Sequence, residues 1–77
     1  MLLLIRKNNE EAKDKYNIVV DLAPEDVDAR NNLGVVLQNL NEHSSAVKHF
    51  QKAVVLEPRN SSAFFNYANS LKELGES

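Results

Sequence analysis

The sequence predicts an all-α fold built from repeated antiparallel helix-turn-helix units. The prolines of the chain are Pro24 and Pro58, and helix-packing residues recur at the spacing that separates them. Self-similarity at such a period indicates stacked repeats in place of one closed globular core. Apolar residues between the breaks recur at spacings of three and four, and strand-like alternation never extends beyond a few residues. The recurring pairs are Ala12 and Ala46, Tyr16 and Phe50, Val19 and Ala53, Leu22 and Leu56, Leu33 and Tyr67, Gly34 and Ala68, and Leu37 and Leu71.

Two proline junctions and one polar break separate the predicted helices. At each junction a leucine ends a helix, the proline prevents its continuation, and a short polar side chain can cap the next helix. Residues 39–44 form a tighter break. We expect Ser44, the last of them, to be the N-cap of the following helix. We also expect a short helical stub to end before Asn8. The predicted helices are at about 9–22, 27–40, 44–56 and 61–74.

Gly34 lies in the middle of a predicted helix, where glycine costs about 1 kcal/mol relative to alanine. A glycine there indicates close approach of two helices, and we expect Ala46 on the returning helix to make that contact. Ala12 and Ala68 occupy the matching positions in the flanking units.

Composition excludes several classes of function. The 77 residues carry 9 basic and 11 acidic side chains, a formal charge of -2, and no cysteine. This charge, interleaved along the chain, does not provide the field that nucleic acid or an anionic membrane needs, and disulfide or thiolate chemistry is excluded. The apolar residues 1–5 are too few for a signal sequence or a membrane span, so we expect them to form the buried face of a helix. A reducing compartment such as the cytoplasm is favoured but not determined.

No catalytic or metal site is predicted. The spacing of His43 and His49 places them on different faces of a helix and excludes a paired metal site. We expect His43 to pack at a turn. No serine has a base partner at a recognisable spacing, and no glycine-rich phosphate loop is present. We therefore expect neither enzymatic activity nor a cofactor.

The recurring residues resemble the tetratricopeptide repeat, a helix-turn-helix of about 34 residues with the pattern W-x2-L-G-x2-Y, then A-x3-F, then P. The resemblance implies a short right-handed α-solenoid, with one unit similar to tetratricopeptide repeats (TPR-like) over residues 1–77. Within it, residues 1–23 would be a partial repeat (mainly its second helix), residues 24–58 a full repeat, and residues 59–77 the first helix of a further repeat. Arg30 stands in place of the tryptophan and Leu37 in place of the tyrosine. The matching residues are Leu33, Gly34, Ala46, Phe50 and Pro58.

The resemblance also implies a concave groove, lined by the first helices of successive repeats, for an extended peptide or a partner's helix. Asn32 and Asn66 share one repeat position, and their amides could bind a peptide main chain. This is similar to the asparagine ladder of the O-linked N-acetylglucosamine transferase superhelix; alternatively, asparagine is simply common at this position. The basic residues of a carboxylate clamp are absent, so chaperone tails are not expected. The predicted groove residues are Asp28, Asn31, Asn32, Val35, Gln38, Asn39, Ser62, Phe65, Asn66, Asn69 and Lys72.

Two functions follow from this organisation. The first is a protein-interaction module that presents the groove to an unidentified partner. The second is a self-assembling unit in which copies complete each other's half repeats, as a domain-swapped dimer or a head-to-tail superhelix. The sequence names neither the partner nor the parent protein. The residues predicted to mediate self-association are Ala12, Tyr16, Val19, Phe64, Tyr67, Ala68 and Leu71.

Overall fold

The protein is four helices joined by short turns. The computed structural model describes residues 2–75, with side chains from Arg6 to Gly75. The predicted burial of residues 1–5 therefore lies outside the described side chains. Residues 2–75 contain no strand, which confirms the all-α prediction, and no helix among them is both long and apolar enough to cross a membrane. The helices are α1 Leu2–Leu22, α2 Val27–Asn39, α3 His43–Leu56 and α4 Ser61–Gly75.

The first helix is longer than predicted. α1 runs without interruption through Asn8 and Asn9, so the expected break between a stub and a second helix is wrong. Asparagine in a helix interior costs at most about 0.7 kcal/mol relative to alanine. Neither glycine nor proline interrupts residues 2–22. By contrast, the turn between α2 and α3 contains Asn41 in the left-handed conformation, at φ 63°, and a backbone in that region cannot continue a right-handed helix.

Helix starts follow the prediction at the two proline junctions but not at the polar break. The Asp26 carboxylate accepts a hydrogen bond from Ala29 N–H at 3.0 Å, and the Asn60 amide oxygen accepts one from Ala63 N–H at 3.0 Å. The predicted cap Ser44 is wrong. α3 begins at His43, directly after Glu42, whose side chain makes no capping bond. The backbone itself closes this turn, since Glu42 N–H donates to Leu37 O at 2.8 Å, a bond of the kind that satisfies carbonyls at a helix end.

Each helix packs against the next along the chain, and α2 also contacts α4. Because the connecting turns are short, consecutive helices are antiparallel. One buried cluster joins α1, α2 and α3, and Tyr16, Val35 and Tyr67 pack at its edge. A second, smaller cluster joins α3 to the start of α2 and to α4. The buried members are Val20, Ala29, Leu33, Leu37, Ala46 and Phe50 in the first cluster, and Val27, Ala53 and Ala63 in the second.

Gly34 makes a close contact with α3, as the sequence predicted, and Phe50 is its nearest neighbour there. A Cβ atom at Gly34 would lie 2.5 Å from Phe50 Cε1, and its three nearest atoms all belong to the Phe50 ring. The missing side chain of Gly34 therefore leaves room for an aromatic ring on the glycine backbone. Ala46 is fully buried in the same cluster.

Candidate peptide groove

The predicted groove lies on α2 and α4, the two helices that contact each other without being consecutive. The structure divides its eleven residues into two sets. Seven are exposed: Asp28, Asn32, Asn39, Ser62, Phe65, Asn69 and Lys72. The other four are half-buried along the line where the two helices meet, here called the α2/α4 seam: Asn31, Val35, Gln38 and Asn66.

Hydrogen bonds between side chains cross the α2/α4 seam at two levels. The Asn66 amide donates through Nδ2 to Asn31 Oδ1 at 3.0 Å. One helical turn or more further along, Gln38 Nε2 donates to Ser70 Oγ at 2.7 Å and approaches Asn66 O at 3.5 Å. Val35 lies between these levels and packs against the larger buried cluster. The seam therefore holds the two groove helices at a fixed spacing.

Ser70 belongs to this arrangement although the sequence reasoning missed it. Its side chain is fully buried, and no other polar residue among residues 6–75 is buried. The position one repeat earlier is Val36, which is buried and apolar. A serine in place of an apolar residue at a buried repeat position needs a hydrogen-bond partner. The difference between Val36 and Ser70 was therefore the sequence signal that could have predicted this hydrogen bond.

The two asparagines that share a repeat position have different surroundings. Asn32 is exposed, and its side chain makes no hydrogen bond within the described residues. Asn66 is half-buried and bonded to Asn31. A shared repeat position therefore does not give the two asparagines the same surroundings. The two differ because α2 lies against Asn66, whereas no described helix takes the corresponding place beside Asn32.

The exposed part of the groove is nearly neutral and contains one large apolar side chain. Phe65 is 67% exposed. Asp28 and Lys72 carry opposite charges, and the remaining exposed members are polar and uncharged.

Some of the residues predicted for self-association are exposed, and the others already pack against other parts of the chain. Val19, Phe64, Ala68 and Leu71 are exposed. Ala12, Tyr16 and Tyr67 are half-buried, and both tyrosines pack against the larger cluster. The exposed apolar surface extends beyond the predicted set, to Ile18 and Leu22 on α1 and Leu74 on α4.

Arg30 has a structural role that the sequence did not reveal. Its Nε donates to Pro24 O at 2.6 Å, and its Nη1 lies 3.4 Å from His49 Nδ1. The guanidinium thus joins the α1–α2 turn to α3 at the position where the repeat pattern has tryptophan. Burial, followed by the nearby positive charge of Arg30, lowers the pKa of His49 below its ordinary value. A neutral His49 can accept the hydrogen bond from Arg30.

The second histidine, His43, is the first residue of α3 and does not lie in the preceding turn, where the sequence placed it. His43 is half-buried at the start of α3, and its Nδ1 is buried without a hydrogen-bond partner among residues 6–75. Within the described part of the chain, no group of three or more His, Asp and Glu side chains is arranged to hold a metal ion.

Comparison with known families agrees with this architecture. Two family models of the tetratricopeptide repeat match residues 27–60 and 49–77. The chain belongs to the tetratricopeptide repeat family. The first match begins with the first residue of α2 and ends at Asn60, the cap of α4, so it contains one complete helical pair. No curated protein sequence matches the chain.

Membership of this family indicates a broad functional class. Tetratricopeptide repeats are helical hairpins that form solenoids, and they generally mediate protein–protein interaction. The family is typically non-catalytic. Protein partners are therefore indicated.

Proposed function

We propose that this chain binds an extended peptide or a partner's helix in the groove of α2 and α4, without catalysis of its own. The observation that carries the proposal is the contact between these helices, together with the exposure of seven predicted groove residues on them. We also propose the repeat division given above: residues 1–23 as a partial repeat, residues 24–58 as a full repeat and residues 59–77 as a following first helix.

The experiment is selection of binding peptides from a random peptide library, followed by nuclear magnetic resonance mapping on the isotope-labelled chain. Bound peptides should shift backbone signals of α2 and α4 more than those of α3. Phe65→Ala should weaken binding. The matched control is Val55→Ala, because Val55 on α3 is 66% exposed and Phe65 is 67% exposed. Peptides that shift only α1 or α3, or that bind Phe65→Ala and wild type equally, would move the site elsewhere.

Self-assembly is the second candidate, and exposed apolar side chains favour it. Phe64, Leu71 and Leu74 are between 37% and 48% exposed on α4, and Leu22 on α1 is 81% exposed. Burying such residues between copies would remove apolar surface from water. The α2–α3 pair offers a template, in which α1 of a second copy covers α4 as α3 covers α2.

This template requires an adjustment at one position. Gly34 allows the Phe50 ring to lie on the α2 backbone, but the equivalent residue on α4 is Ala68. The Cβ of Ala68 fills the space that the ring occupies in the α2–α3 pair. Tyr16 of a second copy, the repeat equivalent of Phe50, would have to stand farther from α4. A self-assembled interface would therefore be looser than the contact within the chain.

A further inference from the structure

We propose that the concavity between the α1–α2 turn and α3 binds a phosphoryl group through the side chains of Arg30 and Lys52. This site is separate from the proposed peptide groove, because none of the predicted groove residues lines it. The concavity is open and has a volume of about 650 Å³, within the range of ligand-binding pockets. The residues that line it are Ala23, Pro24, Glu25, Asp26, Arg30 and Lys52.

The Arg30 guanidinium is held in place but keeps donors for a ligand. Its Nε donates to Pro24 O at 2.6 Å, and its Nη1 lies 3.4 Å from His49 Nδ1. A guanidinium has more N–H donors than these two contacts use. Because the contacts come from two different elements, the side chain loses little conformational freedom when a ligand binds.

Neither cation of the concavity has a counter-ion within the described chain. Arg30 is half-buried and Lys52 is exposed, and no acidic side chain among residues 6–75 forms an ion pair with either. The pKa of His49 is lowered first by burial and then by the charge of Arg30, so that charge acts on its surroundings. Charged side chains removed from water are usually paired. An anionic ligand would supply the missing partner.

The charge of the two cations favours a phosphoryl group over a carboxylate. A phosphorylated side chain carries roughly −1.5 to −2 charges near pH 7 and has three strong acceptor oxygens. Arg30 and Lys52 supply one positive charge each. A guanidinium can take two oxygens of one phosphoryl group, and an ammonium can approach the third as a point charge. A carboxylate has only half the charge and fewer oxygens for the same donors.

Two acidic residues line the same concavity, and they differ in their effect on an anion. The Asp26 carboxylate already accepts Ala29 N–H at the start of α2, where the helix dipole offsets its charge. Glu25 is exposed, and its side chain makes no hydrogen bond or ion pair within residues 6–75. Glu25 therefore weakens anion binding by repulsion, and its removal should strengthen binding.

The second proline junction provides a comparison within the same chain. It forms a concavity of about 470 Å³ lined by Glu57, Pro58, Arg59 and Asn60. Phe64 stands at the repeat position of Arg30, so this junction has no half-buried guanidinium. We expect phosphoryl binding at the first proline junction and none at the second.

The test is a nuclear magnetic resonance titration of the isotope-labelled chain at constant ionic strength and pH. The probes are inorganic phosphate and three capped tripeptides that carry phosphoserine, serine or glutamate between two glycines. Phosphate and the phosphoserine peptide should shift the Arg30 side-chain N–H and the backbone of residues 23–26 saturably, and leave residues 57–60 unchanged. Stronger binding of the phosphoserine peptide would identify a phosphorylated protein as the source, and stronger binding of inorganic phosphate a free anion; both support the site.

Variants of exposed residues test the two charges without disturbing the fold. Lys52→Gln should raise Kd by about two- to five-fold, the effect of one exposed ion pair. Lys48→Gln is the matched control, because Lys48 is also exposed on α3 but does not line the concavity. Glu25→Gln should lower Kd. Arg30→Gln should abolish binding, with circular dichroism to verify that the variant folds.

Three results would overturn the proposal. One is the absence of a saturable shift at residues 23–26 with either phosphate or the phosphoserine peptide. Another is equal binding of the glutamate and phosphoserine peptides. The third is an equal change of Kd in Lys48→Gln and Lys52→Gln, which would indicate attraction by the overall charge of α3 and no defined site.

Discussion

The ring of Phe50 lies directly on the backbone of Gly34, so close that a Cβ there would stand 2.5 Å from ring atom Cε1. This contact joins α2 to α3 within the larger buried cluster, where Phe50 and Leu33 are both fully buried. The glycine costs about 1 kcal/mol in helix propensity, whereas burial of a phenylalanine side chain contributes roughly 1.5–3 kcal/mol. The contact is therefore favourable despite the glycine.

Gly34→Leu should lower the free energy of unfolding by about 1–3 kcal/mol or more, because the branched side chain must displace the Phe50 ring. In a protein this small such a loss is a large part of the total stability. Urea unfolding followed by circular dichroism measures the change. Gly75→Ala is the matched control, since a Cβ at Gly75 meets nothing within 4 Å. Equal stability of Gly34→Leu and wild type would show that α2 and α3 do not pack as described.

Helix capping gives a second prediction. Asp26→Ala and Asn60→Ala should each lower the free energy of unfolding by about 1 kcal/mol, the usual effect of losing an N-cap side chain. Each substitution removes an oxygen that accepts a backbone N–H at a helix start. Ser44→Ala serves as the comparison, because α3 has no side-chain cap. Thermal melts of the three variants would rank them, and a Ser44→Ala effect as large as that of Asn60→Ala would argue against the observed start of α3.

Acid should weaken the fold through His49. Its pKa is lowered in the folded state, first by burial and then by Arg30, so the unfolded chain binds more protons near the ordinary value of 6.5. Its contribution to stability is present above that value and is lost as the pH falls through the folded-state pKa. Unfolding free energies at about pH 7.5 and about pH 5.5 should differ more in wild type than in His49→Gln. An identical pH difference in both proteins would rule out this residue as the source.

The two equivalent asparagines should differ in their effect on stability. Asn66→Ala removes the bond to Asn31, and the loss of one hydrogen bond should lower the free energy of unfolding by about 1 kcal/mol. Asn32→Ala changes an exposed side chain and should leave the free energy of unfolding within about 0.5 kcal/mol of wild type. Both variants should keep nearly the same helix content by circular dichroism. If denaturant titrations gave equal losses of unfolding free energy for the two variants, the hydrogen bond across the α2/α4 seam would not stabilise the fold.

Self-association gives the last prediction. Sedimentation at micromolar concentration and above should show a dimer or larger species if copies cover each other's exposed faces. Leu71→Lys, on α4, should shift the protein towards monomer, whereas Val55→Lys, on α3, should not. Both side chains are exposed in the isolated chain, so neither change disrupts the core. A folded wild-type monomer throughout this range would eliminate the second candidate function.

Much of the fold could be predicted from local chemistry. The recurrence of Pro24 as Pro58, with capping residues Asp26 and Asn60 after them, gave the starts of α2 and α4. The prediction failed where local preference was weak. Asn8 and Asn9 do not end α1, because nothing in the backbone forces a turn there. At the α2–α3 turn, main-chain hydrogen bonds replaced the predicted Ser44 cap.

The predicted groove residues could be placed on two helices that contact each other, but their individual surroundings could not be predicted. Helical periodicity put all eleven candidates on α2 and α4, and seven of them are exposed. It could not show that Asn31, Gln38 and Asn66 are bonded across the seam, or that Ser70 completes it. Repeat symmetry even favoured equal roles for Asn32 and Asn66.

The sequence alone predicted the helical class, the repeat period and the residues that face a neighbouring helix. All three depend only on the spacing of residues along the chain. Which side chains meet across helices became clear only once the helices were packed: Phe50 on Gly34, Arg30 beside His49, and Asn66 on Asn31. Contacts between residues so far apart in the chain depend on the distance and rotation between helices. Those quantities are set by the packing of all side chains together, and no repeat position encodes them alone.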